Sequence, residues 1–180
     1  GPDAYFARVL EVGAGTGTHI NSVRHRFDEY VMTDLYDEML RRRHGERPGV
    51  VLRNEDATRL SFEDESFDRV IAAHVLEHLY RPHEVLREWW RVLKPGGVLS
   101  LVLPCDPGVM WRFGRMLGPR KRGRELALEY DYVMAREHVN SITALKAFID
   151  YYYDRKRERW WPFAFPSTDL NLIYTVNIAK

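Results

Sequence analysis

A glycine-rich segment near the start of the chain holds the first residues whose types and spacing could do chemistry. Gly13, Gly15 and Gly17 alternate in RVLEVGAGTGTH, directly after a short apolar run. Glycine has no Cβ, so such a loop can turn tightly and bring its backbone close to a ligand. A dinucleotide-binding loop would have glycine in place of Thr18 and would hold a pyrophosphate, which the carboxylate of Glu11 would repel. The segment therefore favours a ligand with positive charge, such as an amino group or a sulfonium.

Short apolar runs alternate with helix-period segments from this loop to residue 104. The runs RVLEVG, EYVMTD, GVVLRNED, SFDRVIAAH and VLSLVLP are predicted as five buried strands, with KPGG as the turn into the fifth. Helices are predicted after the glycine loop, with Ile20, Val23 and Phe27 on one face, then in YDEMLRRRH, closed by Gly45, and in RPHEVLREWWRVL. This alternation predicts an α/β fold with a parallel, doubly wound sheet that helices cover on both faces.

The pattern changes in residues 105–137, where basic and aromatic residues interleave between glycines and prolines. Such an insertion is typical either of a surface that covers an anionic ligand or of a solvated basic loop. A helix, SITALKAFIDYYY, and two strands, RERWWPFAFP and LNLIYTVNIA, follow; the strands are predicted as an antiparallel hairpin at a sheet edge, where Pro162 is tolerated. The stretch DRKRER at 154–159 is interpreted as a charged surface turn. The basic residues of the insertion are Arg112, Arg115, Arg120, Lys121, Arg122 and Arg124, and its large apolar residues are Met110, Trp111, Phe113, Met116 and Tyr130.

Composition excludes several classes of protein. The 27 Lys and Arg residues nearly balance the 26 Asp and Glu residues, which does not indicate a general nucleic-acid binder. The single cysteine, Cys105, excludes a disulfide framework and a cysteine-based metal knuckle; we interpret it as a packed thiol and expect no metal site. The absence of a long apolar run or a signal peptide predicts a soluble, cytoplasmic domain. Because only residues 1–7 precede the first strand, we expect that part of the N-terminal region is missing.

The loop VLEVGAGTGTH resembles the E/D-x-G-x-G-x-G motif of class I S-adenosylmethionine-dependent methyltransferases. MTDLYDEML, NEDATRLSFEDESFDRVIAAHVLEHL and RVLKPGGVLSLVLP resemble further segments of that family in the same order. The nearest resemblance is to its small-molecule branch, typified by quinone-biosynthesis methyltransferases. It implies a single methyltransferase domain over residues 1–180, with 105–137 as a substrate-side insertion. It also implies a Rossmann-like seven-stranded sheet, mostly parallel, of order 3-2-1-4-5-7-6 with an antiparallel C-terminal hairpin. The cofactor would be S-adenosylmethionine and the product S-adenosylhomocysteine.

The resemblance also implies cofactor-binding roles for individual residues. Asp34, about 20 residues after the loop, would bind both ribose hydroxyls, while Asp56 would accept a hydrogen bond from the adenine amino group and the Ala57 amide would face a ring nitrogen. His74 would contact the methionine part of the cofactor rather than act in catalysis. The EHL segment at 77–79 is interpreted as a helix start with local hydrogen bonds. The predicted cofactor-binding residues are Glu11, Gly13, Ala14, Gly15, Gly17, Asp34, Leu35, Asp56, Ala57, His74 and Val75.

Two residues are candidates for catalysis on the acceptor. His138 opens the segment before the helix that follows the insertion, and we predict that it acts as a general base or positions the acceptor. Alternatively, His138 caps the helix together with Asn140 or Ser141. Asp106, directly after the fifth strand, is either a base or an Asx-turn residue before Pro107.

The predicted function is methyl transfer to a small, anionic acceptor: a sugar, a lipid-linked or phosphate-bearing intermediate, or a natural-product precursor. A methyltransferase-like domain that binds without catalysis and an RNA methyltransferase are the alternatives. A nicotinamide oxidoreductase is disfavoured by Thr18 and Glu11. A DNA acceptor is disfavoured because AHVLEH stands where the Asn/Asp-Pro-Pro-aromatic motif of DNA amino-methyltransferases should follow the fourth strand.

Overall fold

Seven strands and five α-helices make up the computed structural model, which describes residues 3–36, 38–44, 47–117, 120 and 129–180. The strands are β1 (Tyr5–Val12), β2 (Arg26–Asp34), β3 (Val50–Asn54), β4 (Phe67–Ala73), β5 (Leu93–Pro104), β6 (Lys156–Trp161) and β7 (Ile173–Ala179). The helices are α1 (Glu38–His44), α2 (Pro82–Val92), α3 (Val109–Leu117), α4 (Tyr130–Glu137) and α5 (Ile142–Tyr152), and short 3₁₀ helices span Thr18–Ser22 and Leu76–His78. The predicted roles of Gly45, Lys121, Arg122 and Arg124 lie outside the described residues.

The strand order is β3-β2-β1-β4-β5-β7-β6, with antiparallel pairing among β5, β7 and β6. The predicted fold class and the predicted order are therefore confirmed. Pro162 follows β6 directly, at the edge of the sheet, where a residue without an N–H costs no ladder bond. Among the described residues, no helix is both long and apolar enough to cross a bilayer.

Two compact units divide the chain. The first comprises Gly1–Ala73, His83–Leu101 and Asn177–Lys180, and the second comprises His74–Pro82 and Val102–Val176. The single domain expected over residues 1–180 stays a prediction.

The first unit contains a parallel core that aligns the strand ends. Glu11 of β1 pairs with Met32 of β2 on one side and with Ile71 of β4 on the other. Val9, Tyr30, Met32 and Ile71 are buried in one hydrophobic cluster. In such a sheet the carboxyl ends of β1, β2 and β3 meet at one edge, where open α/β sheets bind their ligands.

The prediction of an α-helix after the glycine loop is wrong. The chain forms only the 3₁₀ helix Thr18–Ser22, Val23 is extended, and Phe27 already belongs to β2. The sheet register requires this, because Tyr5 pairs with Arg26 and the chain must return along the whole of β1, roughly 23 Å at about 3.3 Å per residue. Residues 18–25 as an α-helix would cover only about 12 Å, since each residue rises about 1.5 Å.

Helix α2 and the strand after it meet the predictions in part. Trp89 and Leu86 are fully buried, and the Trp89 Nε1 donates a hydrogen bond to the Ala57 carbonyl at 2.9 Å. KPGG, however, lies inside β5 instead of forming a turn before it. The Gly96 amide donates to the Lys180 carbonyl at 2.9 Å, so this segment already pairs as a strand.

In the second unit, most of the predicted turn at 154–159 belongs to edge strand β6. Its side chains alternate, with Arg157 and Arg159 exposed and Glu158 turned inward. The inward carboxylate accepts hydrogen bonds from Lys146 Nζ at 3.1 Å and from Tyr174 Oη at 2.9 Å. A strongly charged sequence is therefore compatible with a strand here, because one face is solvated and the partly buried carboxylate of Glu158 is paired.

Candidate active site

The glycine loop follows β1 at the ligand-binding edge of the first unit. Gly13, Gly15 and Gly17 all have positive φ, between 56° and 70°. A Cβ on Gly17 would lie 2.6 Å from the His44 ring and 2.9 Å from Leu40, so this glycine allows the loop to pack against α1. A Cβ on Gly15 would meet no atom within 4 Å. The backbone at Gly15 therefore borders open space, as a close-approach site for a ligand requires.

Asp34 connects the end of β2 to this loop. Its Oδ2 accepts a hydrogen bond from the Gly15 amide at 2.8 Å, and its Oδ1 accepts one from the Tyr36 amide at 3.2 Å. The Ala14 amide donates to the Thr33 carbonyl at 2.8 Å, which fixes the loop against β2. The carboxylate is only half-buried, so its orientation is set by the backbone while its remaining lone pairs face solvent. This is the arrangement that a ribose diol requires.

Asp56, which the sequence predicts to bind the cofactor, lies after β3. Asp56 Oδ1 accepts hydrogen bonds from the Thr58 amide at 2.8 Å and the Thr58 hydroxyl at 2.7 Å. Both bonds use one carboxylate oxygen, which leaves Oδ2 for a ligand amino group. The exposed Leu35 is joined to this region through its carbonyl, which accepts from Asn54 Nδ2 at 2.6 Å. The turn role and the adenine role of Asp56 are therefore compatible.

Glu11 has internal partners that its sequence position did not reveal. Its side chain is only 3% exposed; it accepts a hydrogen bond from Tyr30 Oη at 2.8 Å and lies 3.3 Å from His19 Nδ1. Burial, together with the charge of Glu11, raises the pKa of the Tyr30 hydroxyl, so this group stays a donor. Glu11 therefore supplies negative charge beneath the loop rather than an exposed ligand group. Sequence reasoning missed Tyr30 and His19, because no local spacing connects them to Glu11.

In the second unit, His74 and Val75 open the segment after β4. His74 has a φ of 58°, an uncommon conformation for a residue with a side chain, and that side chain is 47% exposed. Glu77 is buried in the following 3₁₀ helix, with its Oε1 3.5 Å from His74 Nδ1. His78 Nδ1 donates to the Glu137 carbonyl at 2.8 Å. The EHL segment thus lies in and after a short helix, as expected, but the hydrogen bond of His78 is long-range rather than local, and Glu77 retains an oxygen without a hydrogen-bond partner among the described residues.

Asp106 and His138 form a pair across 31 intervening residues. His138 Nδ1 lies 2.8 Å from Asp106 Oδ2, and both side chains are largely buried. The same oxygen lies 3.8 Å from Arg115 Nη1. The helix-cap alternative belongs to Ser141, which caps α5 by accepting from the Ala144 amide at 3.3 Å. The carboxylate orients an imidazole, which is the typical arrangement of an acid–base pair.

Cys105 is packed, as expected. Its thiol is fully buried, and burial raises its pKa to about 11. A thiol that stays protonated is a poor nucleophile.

Two adjoining cavities lie in the second unit. One, of about 440 Å³, has three arginines in its wall together with Asp106 and Asp131. The other, of about 420 Å³, has a largely apolar wall that includes Trp111 and Leu172, and Glu77 and three histidines also line it. The residues that line both cavities are Arg115, Tyr130, Met134 and His138. An acceptor with an apolar body and an anionic group would find a complementary surface for each part.

Comparison with known proteins agrees with this geometry. The family profile Methyltransf_11, described as a methyltransferase domain, matches residues 10–101, about half of the chain. Phosphatidylethanolamine N-methyltransferase of Cereibacter sphaeroides is 38% identical over 106 residues, 56% of this chain and 52% of that protein. Demethylmenaquinone methyltransferase of Clavibacter sepedonicus is 39% identical over 105 residues, 57% of this chain and 43% of that protein.

The chain spans about half the length of the curated relatives it matches. The fold is shared with N-methyltransferase NodS of Bradyrhizobium japonicum, solved with S-adenosylhomocysteine, at a TM-score of 0.63 and 14% identity over 98% of this chain and 79% of that one. The open space at Gly15 and the oriented carboxylate of Asp34 fit S-adenosylmethionine. The chain therefore belongs to the methyltransferase domain family, with S-adenosylmethionine as its cofactor.

Proposed function

We propose that the chain transfers a methyl group from S-adenosylmethionine to a small acceptor with an apolar body and an anionic group. The pair of adjoining cavities supports this proposal more than any other feature, because an apolar wall and a three-arginine wall meet at shared residues. The named relatives act on a phospholipid and on a quinone precursor, both of which combine a polar head with an apolar part. A lipid-linked or phosphate-bearing acceptor has this chemistry.

The first unit would hold the cofactor through residues whose geometry is already set. Asp34 binds the ribose hydroxyls, Asp56 accepts from the adenine amino group, and the backbone at Gly15 makes the close approach. The buried charge of Glu11 favours a cationic ligand. When bound, the cofactor supplies a methyl group already activated by a sulfonium, so the protein's main task is alignment, for which proximity can contribute roughly 7–11 kcal/mol.

The acid–base pair would act on the acceptor. Asp106 accepts the Nδ1–H of His138 and so leaves the Nε2 lone pair to bind an acceptor hydroxyl or to receive its proton. A positioned general base contributes about 10²–10⁴-fold to such a step.

The arginines would bind the anionic group of the acceptor. Arg115 lies near Asp106, and Arg120 pairs with Asp131, so two of the three cations are partly neutralised. Arg112 is exposed and has no acidic partner among the described residues, which leaves its guanidinium for an anion. A phosphate or a carboxylate would accept two hydrogen bonds from its planar fork.

The test measures transfer of radiolabelled methyl groups to paired acceptors that differ only in a phosphate or carboxylate. Arg112→Gln should lower kcat/KM for the anionic member at least tenfold and leave the neutral member unchanged. Arg157→Gln, an exposed arginine on β6, is the matched control and should change neither. Methylation of RNA alone, or cofactor binding without turnover of any acceptor, would refute the proposal and support the corresponding alternative function.

The cytoplasmic location stays a prediction.

A further inference from the structure

One oxygen of a buried carboxylate in the second unit has no hydrogen-bond partner among the described residues. Glu77 is 1% exposed, and its Oε2 forms no hydrogen bond with any of the described residues. Buried charges in proteins are paired, hydrogen-bonded or bound to a metal ion, because removing them from water is costly. The unpaired oxygen therefore indicates a missing positively charged or donor group.

Imidazoles surround this carboxylate. Glu77 Oε1 lies 3.5 Å from His74 Nδ1 and 3.9 Å from His78 Nε2. One ligand atom from each of Glu77, His78 and His138 lies within 4.8 Å of the other two. Ligand atoms at about 2.0–2.2 Å from one tetrahedral ion lie roughly 3.3–3.6 Å apart, so the three atoms would have to approach one another by up to about 1.5 Å, which side-chain rotation can supply.

The outer hydrogen bonds of the two histidines decide which ring nitrogens face the cluster. His78 Nδ1 lies 2.8 Å from the Glu137 carbonyl, and His138 Nδ1 lies 2.8 Å from the Asp106 carboxylate. Both partners can only accept, so each Nδ1 carries a proton and each neutral ring keeps its lone pair on Nε2. Two imidazole lone pairs and a carboxylate then share a small volume, a repulsive arrangement unless a cation lies among them. Carbonyl and carboxylate groups that hold Nδ1–H are the usual outer support of metal-binding histidines.

We propose that Glu77, His78 and His138 bind a divalent transition-metal ion such as Zn²⁺. Two imidazoles and one carboxylate are the ligand set of catalytic zinc sites, in which an open position takes water or substrate. This site rests on the proposed function: the acceptor of the methyl group would be an alcohol or a phenol whose oxygen occupies the open position. The sequence alone led to the opposite expectation, that the chain has no metal site.

The ion changes the role of His138. Its Nε2 lone pair is then used in coordination, so the acceptor proton leaves to solvent instead of to His138. The acceptor O–H bond breaks, its oxygen forms the new O–C bond to the methyl group, and the C–S bond of the sulfonium breaks to give S-adenosylhomocysteine. Coordination lowers the pKa of the bound hydroxyl, which replaces the general base.

Calorimetric titration of ZnCl₂ into the chelator-treated, dialysed full chain tests the site without cofactor or acceptor. We expect one ion per chain, with affinity reduced at least 100-fold in His78→Gln and in Glu77→Gln, and 10- to 100-fold in Asp106→Asn, which removes only outer support. His83→Gln, a histidine outside the cluster, is the matched control and should bind as the wild type. Unchanged binding in His78→Gln, or no binding by the wild type, would overturn the proposal.

Thermal unfolding with and without ZnCl₂ keeps the test valid if a variant folds poorly. Added ion should raise the Tm of the wild type and of His83→Gln but not that of His78→Gln. The acceptor step is tested separately: methyl transfer should fall at least tenfold on chelation and return with ZnCl₂. Transfer that is insensitive to chelation would overturn this step while the proposed function stands. Zinc binding without transfer to any acceptor would support the site and refute the proposed function.

Discussion

Replacing Gly15 with alanine tests whether the glycine loop makes the closest approach to the cofactor. Gly15 has a φ of 56°, and a Cβ there would project into open space with no atom within 4 Å. The left-handed backbone costs an alanine roughly 1–2 kcal/mol, which should appear as a loss of unfolding free energy. The Gly15 amide keeps its hydrogen bond to Asp34, so the carboxylate of Asp34 stays oriented.

The affinity of the chain for the cofactor should fall as well. If it fills the space beside Gly15, the new methyl group overpacks the contact, at about 1–3 kcal/mol, which corresponds to a 5- to 150-fold weaker affinity. Gly96→Ala is the matched control, because Gly96 also has a positive φ, 78°, and also borders open space, but lies in β5 away from the loop. Both variants should lose similar stability in urea denaturation, whereas calorimetry with S-adenosylhomocysteine should show weaker binding only for Gly15→Ala. Equal affinity in the two variants would refute the close approach.

Three further outcomes follow from buried groups of the structure. Cys105 should react with a disulfide reagent at pH 8 only after unfolding, because burial raises its pKa to about 11; rapid labelling of the folded chain would contradict this. Burial lowers the pKa of His25, so the unfolded chain binds its proton first and stability should fall as the pH drops below about 6.5. His25→Gln should flatten that decline in urea denaturation, and an unchanged slope would assign it to other groups. Trp89→Phe leaves the Ala57 carbonyl without its donor and should cost roughly 1–3 kcal/mol of unfolding free energy, a loss that a measurement below 0.5 kcal/mol would contradict.

Part of the candidate site could be predicted from local patterns. Gly15 follows the first predicted strand and Asp34 ends the second. Adjacent parallel strands bring such ends together, as the 2.8 Å hydrogen bond between the two residues shows. Asp56 follows the third strand for the same reason. The parallel α/β fold is confirmed because strand–helix alternation leaves few arrangements for such a sheet. The strand order that the family resemblance implied is confirmed as well.

Other features could not be predicted, because they depend on distances between elements. The helix expected after the loop is absent since the register of β1 with β2 leaves too few residues to return as an α-helix. The strand character of KPGG is set by its pairing with Lys180, 84 residues away from Gly96.

The sequence by itself determined the cofactor class, since the loop and Glu11 favour a ligand with positive charge and the segments around the loop, Asp34 and Asp56 resemble those of S-adenosylmethionine-dependent methyltransferases. Only the tertiary structure brought together the residues of the proposed acceptor side. It brought Asp106 to His138, placed both beside the arginine-lined cavity, and buried Glu77 among histidines. The physical reason is that the proposed cofactor contacts come from successive strand ends with regular spacing. The proposed acceptor contacts come from loops and helices that are distant in sequence, whose meeting depends on packing.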